Sequence, residues 1–386
     1  MEFISNPLYV LTVLCLSVVL TEWLVQTTFC RHLGTALLVI VLTALLANIG
    51  VLPTASNASP VYDVIFSYLA PISIFYLLLG VNLRDLKEAG LPMLLTFLIG
   101  SAGTLLGVVT GMWVVSGQES LGEFYRAIAG MFAGTYTGGG INFNAIALHY
   151  QITKQGALFA GAVAVDNIMT TIWMVVTIVL PKFISGVSNA AVSAPVVKLA
   201  DANEEVDRDT ETLNPMDLAV MIGLGVVVLW ISNGVSAWFS DYTISVPSIL
   251  ILTTIALALA QIPFFHQLRG SRLIGMFAVY IFLAVIGAYC EFAALSEIGT
   301  LGVTLLAFGG VLVLVHGVVV YGVGAFVSRD WELLSIASQA NVGGSTSALA
   351  LAKSFERADL LLPAILVGSL GNAIGTYLGF MVARFI

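Results

Sequence analysis

Apolar runs of roughly 20 residues recur along the whole chain, and short polar stretches separate them. Each run is long enough to cross about 30 Å of hydrocarbon as an α-helix. The pattern therefore predicts an all-α polytopic membrane protein. The predicted segments of the first half are Leu8–Thr27, Gly34–Val51, Val61–Val81, Leu91–Ser116, Ala127–Tyr150 and Gly156–Phe183. Those of the second half are Met216–Phe239, Thr243–Ile262, Leu273–Phe292, Thr300–Ser328, Leu333–Lys353 and Leu360–Ile386.

Composition supports the same interpretation. Of the 386 residues, 59% are hydrophobic and only 9% are charged, and the mean hydropathy is +1.02. These charges are too few to cover the surface of a water-soluble protein of this size. We therefore expect the chain to lie in a lipid bilayer. No stretch remains for a soluble catalytic domain. We therefore expect a multi-pass protein of the inner (plasma) membrane.

The chain falls into two similar halves on either side of a polar, acidic stretch. Asn6 before the first segment recurs as Asn214 before the seventh, and Asn167 of the sixth recurs as Asn372 of the twelfth. Such collinear matches, spaced by roughly 205 to 210 positions, indicate an internal repeat. We therefore predict a first repeat over residues 1–183, a polar acidic linker over residues 184–214 and a second repeat over residues 215–386, each repeat with six apolar segments.

The distribution of Lys and Arg predicts that the two repeats are inverted. Arg31 and Arg84 follow the first and third segments, whereas Arg269 and Arg329 follow the eighth and tenth. Since basic residues favour cytoplasmic loops, the halves should point in opposite directions. Six full crossings per half would not allow this. One segment per half must therefore be re-entrant, which leaves five crossings. Alternatively, the broken helix crosses the membrane, and another short segment makes the number of crossings odd.

The Gly-rich fifth and eleventh segments are the candidates for this role. The fifth reads TYTGGGINFN from Thr135 to Asn144, and the eleventh reads SQANVGGSTS from Ser338 to Ser347. Each glycine costs roughly 1 kcal/mol in a helix relative to alanine, and backbone groups freed by a break must face protein, water or a ligand. Close packing of small residues would explain the glycines alone, but not their polar neighbours. Paired half-helix ends suit an anion at their N-termini and a cation at their carbonyls.

Asp166 lies well inside the sixth apolar segment, and a carboxylate at that depth is a functional candidate by default. A purely structural carboxylate is the alternative. The matching position of the second half is Gly371, which predicts a single coupling-cation site. The predicted cation-binding residues are Asp166, Asn167, Asn142 and Asn372. The predicted substrate-binding residues are Thr135, Thr137, Gly139, Gly140, Asn144, Gln339, Asn341, Gly343, Gly344, Ser345 and Thr346.

The sequence contains none of the motifs that would indicate other chemistry. It has no HExxH metal site, no Walker loop and no GxSxG elbow, so we expect neither an ATP-driven pump nor an enzyme. We expect no cofactor and no metal beyond a coupling sodium ion. His316, inside the tenth segment, is more typical of a hydrogen bond between helices than of a proton relay.

The stretches TYTGGGINFNAIALHY and SQANVGGSTSALALA, followed by VDN and GNAIGT, resemble the YjcL-like family of bacterial membrane proteins. That family is similar to the cation:proton antiporter and anion transporter superfamily, which includes bile-acid-type sodium symporters. The resemblance implies broken segments that meet at the membrane centre and a cation site at Asp166-Asn167. Asn372 stands where electrogenic antiporters often carry a basic residue. This difference argues against pure sodium/proton exchange.

These observations predict a secondary transporter that couples Na⁺ or H⁺ to a small polar or anionic organic solute by alternating access, with symport preferred. A cation/proton antiporter, a channel and an intramembrane enzyme using Asp166 with His316 or His149 are the alternatives. The expected partners are a small-molecule substrate and the lipid bilayer, and we expect no binding to nucleic acid. The sequence allows a homodimer and does not decide the oligomeric state.

Overall fold

The computed structural model describes residues 6–27, 34–81, 83–184, 214–241, 246–266, 270–290 and 298–386. Within these ranges the chain forms helices and turns, without a strand. Eight of the described helices are long and apolar enough to cross a bilayer, and two shorter apolar helices accompany them. The prediction of an all-α polytopic membrane protein is confirmed. Most of the predicted linker, residues 185–213, lies outside the described residues.

The first half contains seven labelled helices within the described ranges. The third of them includes a π-helical turn, Ile65–Leu69, which ends two residues before Pro71. Proline has no N–H group to continue the helical hydrogen bonds, so it interrupts the ladder there. The helices are α1 (Pro7–Thr27), α2 (Gly34–Asn48), α3 (Pro60–Leu79), α4 (Leu91–Val114), α5 (Tyr125–Gly138), α6 (Gly140–His149) and α7 (Gly156–Ile184).

The described part of the second half repeats the same order of long, short and broken helices. That order agrees with an internal repeat, whereas the opposite orientation of the halves and their boundaries stay predictions. The helices are α8 (Pro215–Asp241), α9 (Ser248–Ala260), α10 (Ser271–Ala288), α11 (Ile298–Val323), α12 (Trp331–Val342), α13 (Gly344–Ser354) and α14 (Leu361–Phe385).

Helices α5 and α6 form an antiparallel hairpin. A Cβ atom placed on Gly130 would lie 3.4 Å from a methyl carbon of Ile146, and one placed on Gly134 would lie 3.1 Å from Cβ of Asn142. Sixteen residues along a continuous helix would span about 24 Å, so the chain must reverse between these positions. The reversal occurs at Gly139, where φ is +105°. We call α5 and α6 the first hairpin.

Helices α12 and α13 form a second hairpin. Arg357, just after α13, donates hydrogen bonds of 2.9 Å to Glu332 and to Asp330 at the start of α12. End to end, helices of 12 and 11 residues would separate these groups by about 35 Å. The chain reverses at Gly343 and Gly344, the latter with φ of +77°. Each half therefore contains a Gly-rich broken segment that folds back as a hairpin, which agrees with the prediction of a re-entrant segment.

Helix α14 sets the arrangement of the two hairpins. The short turn Ala358–Leu360 joins the open end of the second hairpin directly to the start of α14. The open end of the first hairpin lies toward the other end of α14, because Gly130 packs against Gly379 and Ala383. With 25 residues, α14 is about 37 Å long. The hairpins therefore enter from opposite ends of a membrane-spanning helix, and their tips meet halfway.

The described helices pack in two groups. Helices α1, α2, α3, α8, α9 and α10 form one group, which we call the panel. In it, Tyr76 of α3 donates a hydrogen bond of 3.0 Å to the carbonyl of Met221 on α8. Helices α4, α7, α11, α14 and the two hairpins form the other group, which we call the core. Glycines on one face of α4, including Gly107 and Gly111, pack against Leu312 and Phe308 of α11.

Ion pairs hold together the start and the end of the second hairpin, opposite its tip. One guanidinium, that of Arg357, contacts Asp330, Glu332 and Asp359 at 2.8 to 2.9 Å. Burial alone would raise the pKa of Asp330, but its hydrogen bonds and its attraction to Arg357 outweigh that effect and hold the pKa below the ordinary value. The clamp is therefore complete at neutral pH and weakens as pH falls through the acid range.

Removing the guanidinium should loosen this hairpin. We expect Arg357→Ala to lower the free energy of unfolding by about 1 to 2 kcal/mol, because it leaves three carboxylates close together, partly screened by solvent. The measurement is the melting temperature of the detergent-solubilised protein at neutral and acid pH. The matched control is Arg329→Ala, which removes an exposed arginine without a described ion pair. Equal melting temperatures for parent and Arg357→Ala would contradict the clamp.

Candidate functional site

The tips of the two hairpins touch each other near the middle of α14. A Cβ atom placed on Gly344 would lie 3.4 Å from the carbonyl oxygen of Gly138 and 3.9 Å from Cα of Gly139. Both Gly139 and Gly344 have positive φ angles, which favour glycine. The structure thus brings together the two Gly-rich stretches that the sequence analysis singled out.

Glycines spaced by four residues fit the first hairpin closely onto α14. Gly130, Gly134 and Gly138 of α5 face Gly379, Gly375 and Gly371 of α14 in that order, so that helix backbones are in contact. Small residues at this spacing allow membrane helices to approach closely. The sequence analysis named Gly371 only as the counterpart of Asp166 and did not predict this packing face of α14, although the spacing of four is the signal that identifies it.

Helix ends with free backbone groups converge where the tips meet. Helices α6 and α13 begin there, and no side chain caps either N-terminus. The first N–H groups of a helix have no partner within the helix, and they carry partial positive charge. Helices α5 and α12 end at the same place, which supplies carbonyl groups. Gly140 is exposed, and no atom lies within 4 Å of a Cβ placed on it, so the tip borders open space.

Several predicted substrate residues carry polar groups without partners around the tips. The buried amide nitrogen of Gln339 and the buried amide oxygen of Asn341 make no hydrogen bond in the described part of the chain. The side-chain oxygen of Asn372 would lie 3.8 Å from a Cβ placed on Gly139. Buried polar groups are normally hydrogen-bonded, so such a cluster indicates a binding site. Partly buried side chains that also lack a hydrogen bond to described residues are those of Asn144, Ser345, Thr346 and Asn372.

Other predicted residues hold the hairpins in place. The amide of Asn142 donates to the carbonyl of Gly371 at 3.3 Å and accepts from Thr376 at 2.7 Å, so it faces α14. The amide nitrogen of Asn341 donates to Ser101 and to the carbonyl of Thr137, which ties the second hairpin to the first. Each of these amides therefore has at least one protein partner at the crossing.

Asp166 lies beside the first hairpin, one helical turn below its tip. The Thr135 hydroxyl donates a hydrogen bond of 3.4 Å to the carboxylate. The buried Tyr136 hydroxyl is close enough to interact with the same charge, but it is outside hydrogen-bond geometry. Asn167 is exposed and its amide donates to the carbonyl of Val163. Adjacent residues project about 100° apart on a helix, so Asn167 does not share the pocket of Asp166.

His316 connects the two hairpins through buried hydrogen bonds. Its Nδ1 lies 3.0 Å from the carbonyl of Gly100 and from the Thr104 hydroxyl, and its Nε2 lies 2.8 Å from Ser338. A carbonyl only accepts, so Nδ1 carries the proton and Nε2 accepts from Ser338. Thr104 donates onward to the carbonyl of Tyr136 in the first hairpin. A neutral imidazole with both nitrogens bonded agrees with the predicted helix-to-helix role.

Two comparisons with known proteins match most of the chain. A family model described as "Protein of unknown function (DUF819)" matches residues 9–386. The chain is also 28% identical over 351 residues to the "Uncharacterized membrane protein YjcL" of Bacillus subtilis (strain 168), covering 88% of this chain and 86% of that protein. The family match includes the two hairpins and α14, and both matches support the resemblance to a YjcL-like family.

Proposed function

The chain belongs to the DUF819 family of membrane proteins, and from its paired hairpins we propose that it is an ion-coupled secondary transporter of a small organic solute. One observation carries the proposal: two re-entrant hairpins enter from opposite ends of α14, and their tips, at Gly139 and Gly344, touch halfway along it. Irregular backbone at membrane depth is tolerated only where it is buried in protein or lines a cavity, and such midplane sites are typical of transporters.

The chemistry at the tips favours a solute with a carboxylate or another oxyanion. The uncapped N-termini of α6 and α13 present N–H groups and partial positive charge. The unpaired amide nitrogen of Gln339 adds a donor, and the free side chains of Ser345 and Thr346 add hydroxyl groups. Each of these groups can donate a hydrogen bond to an oxyanion at the tips. We propose these groups as the solute-binding site.

Asp166 is the proposed coupling residue. Its carboxylate and the Thr135 hydroxyl supply hard oxygen ligands one turn from the solute site, at a distance where a bound cation would also attract an anionic solute. The charge occurs in one half only, because Gly371 takes the matching place, and this favours one coupling ion per cycle. Symport follows if sodium or a proton at Asp166 and the solute at the tips move together. A cation/proton antiporter is the second candidate, since the carboxylate alone would serve it.

Two alternatives find less support in the geometry. A channel usually forms its pore on an oligomer axis, whereas both hairpins of this chain meet within one protein. An enzyme using Asp166 with a histidine lacks a suitable partner. His316 is fully hydrogen-bonded, and His149 ends a helix of 10 residues that places it about 15 Å from the tip.

A ligand screen followed by uptake tests the proposal. Purified protein is heated with sodium, at several pH values and with a library of small carboxylates and neutral solutes, because a ligand that binds only the folded state raises the melting temperature. We expect a carboxylate to stabilise the protein more strongly with sodium or protons present. The same compound should then accumulate in proteoliposomes when an ion gradient is imposed. Ligand-independent currents through single molecules would instead support a channel.

The inverted repeat gives a separate prediction about topology. The linker between the halves should be cytoplasmic and Ile386 should be external, because a re-entrant hairpin leaves five crossings in each half, so the linker and Ile386 lie on opposite sides. Single cysteines at Ser193 and Ile386, in a variant without the three native cysteines, are labelled with a membrane-impermeant maleimide in intact cells and after lysis. We expect the label at position 386 before lysis and at position 193 only afterwards. Labelling of both on one side would contradict the inverted topology.

A further inference from the structure

A polar cavity lies far from the hairpin tips, where the core meets the panel. Its volume is about 220 Å³, and it is bounded by α3, α8 and α9 of the panel and by the open end of the first hairpin. We call it the seam cavity. It is smaller than a site for a drug-sized molecule, which has roughly 300 to 1,000 Å³, so it suits a small group. It is one helix length, about 15 Å, from the tip at Gly139.

Hydrogen-bond donors without partners line the seam cavity. Thr153 is only 2% exposed, and its side chain makes no hydrogen bond to any described residue. Ser67, Gln151 and Asn233 also line the cavity; these residues are exposed, and their side chains make no hydrogen bond within the described ranges. Buried polar groups in membrane proteins are normally hydrogen-bonded, so the unpaired hydroxyl of Thr153, in a cavity lined by further donors, indicates a ligand.

The charge of the seam cavity is positive. Among the described residues that line it, the exposed Lys154 carries the permanent charge and forms no ion pair with a described carboxylate; His149, which also lines it, is ionisable. No described aspartate or glutamate borders the cavity. An unpaired ammonium group among neutral donors attracts an oxyanion.

The wall of the cavity on the panel side includes a π-helical turn. Phe66 and Ser67 lie in the π-helical turn of α3, and Pro71 cannot donate to the carbonyl of either residue. One carbonyl of this wall therefore lacks its helical partner. Single π-turns occur frequently at functional sites. The freed carbonyl can accept from a water or from a hydroxyl of the same ligand.

We infer that the seam cavity is a binding site for a small oxyanion, carried either by a soluble carboxylate or phosphate or by a lipid headgroup. Lys154 supplies the ion pair, and Thr153, Gln151 and Asn233 supply hydrogen bonds. The site is separate from the proposed solute site at the tips and does not depend on transport.

Binding by variants of the purified protein tests this inference. The probes are succinate and inorganic phosphate in detergent, and phosphatidylglycerol against phosphatidylcholine in nanodiscs, each titrated against the melting temperature. We expect Lys154→Met to raise the apparent Kd of at least one anionic probe by at least about tenfold, as loss of a charge-assisted hydrogen bond implies. Lys154→Arg should retain binding. Thr153→Val should weaken it without touching the charge, and Lys182→Met, at an exposed lysine in the last turn of α7, is the matched control.

The outcomes separate this site from the tips. Binding that survives Gly139→Leu but not Lys154→Met supports the seam cavity, and the probe that binds identifies its source as soluble or lipid. Binding that survives Lys154→Met but not Gly139→Leu places the anion at the tips and overturns the inference. The absence of stabilisation by every anionic probe overturns it as well.

Discussion

Replacing Gly139 by leucine is expected to abolish ion-driven uptake while the protein still folds and inserts. Gly139 has φ of +105°, and its Cβ position lies 3.8 Å from the side-chain oxygen of Asn372 and from Cα of Gly344, next to the open space at Gly140. A leucine side chain would therefore fill the place where backbone meets solute. Uptake into proteoliposomes is the measurement, with the melting temperature as the check on folding. Gly344→Leu should act in the same way, because Gly344 forms the opposite tip.

A second glycine separates backbone strain from loss of the site. Gly122 also has a positive φ of +56° and open space at its Cβ position, but it lies in the turn before α5. Gly122→Leu should cost some stability and leave uptake intact. Gly138→Ala should instead prevent stable folding, since the added methyl group would overlap the backbone of Gly371. Unaltered uptake in both tip variants would return these glycines to a packing role.

Asp166→Asn is expected to fold, to lose cation-driven uptake and to lose any stabilisation by sodium. The substitution keeps the size of the side chain and removes the charge that attracts a cation beside Thr135. If sodium is the coupling ion, a concentration of 100 times its Kd stabilises the parent by about 2.7 kcal/mol, and this gain should vanish in the variant. Melting temperatures with sodium or choline chloride measure the effect.

The matched control is Asp63→Asn, which removes an exposed carboxylate near the start of α3. It should leave both uptake and the sodium effect unchanged. If sodium stabilises parent and Asp166→Asn equally and uptake stays ion-driven, Asp166 is a structural carboxylate and the coupling site lies elsewhere.

The sequence predicted the helices well because the length of an apolar run is a local property. All twelve predicted segments correspond to a described helix or hairpin, as α5 and α6 correspond to Ala127–Tyr150. Local composition also predicted the two breaks, since consecutive glycines disfavour a helix. The same composition allowed either a re-entrant or a crossing segment. Contacts between distant residues, such as that of Arg357 with Asp330, decide for the hairpin.

The composition of the candidate site was less accessible to sequence reasoning. Which face of a helix points to a neighbour depends on packing, so Asn142 was grouped with Asp166 although its amide bonds to α14. Asn167 follows Asp166 in the chain, but the helical rotation turns its amide outward. The unpaired atoms of Gln339 and Asn341 become visible only when the partners of every buried group are known.

The accessibility of the tip tests alternating access most directly. A cysteine replaces the exposed Gly140 in a variant without Cys15, Cys30 and Cys290, and a membrane-impermeant thiosulfonate is applied to each face of oriented vesicles. Cysteine at the fully buried Ala133 of α5 is the control and should stay unlabelled. We predict labelling of position 140 from both faces, with sodium or pH raising the rate from one face while lowering it from the other. Rates that rise together would indicate a channel, and labelling from one face only under every condition would contradict a transport site at the crossed tips.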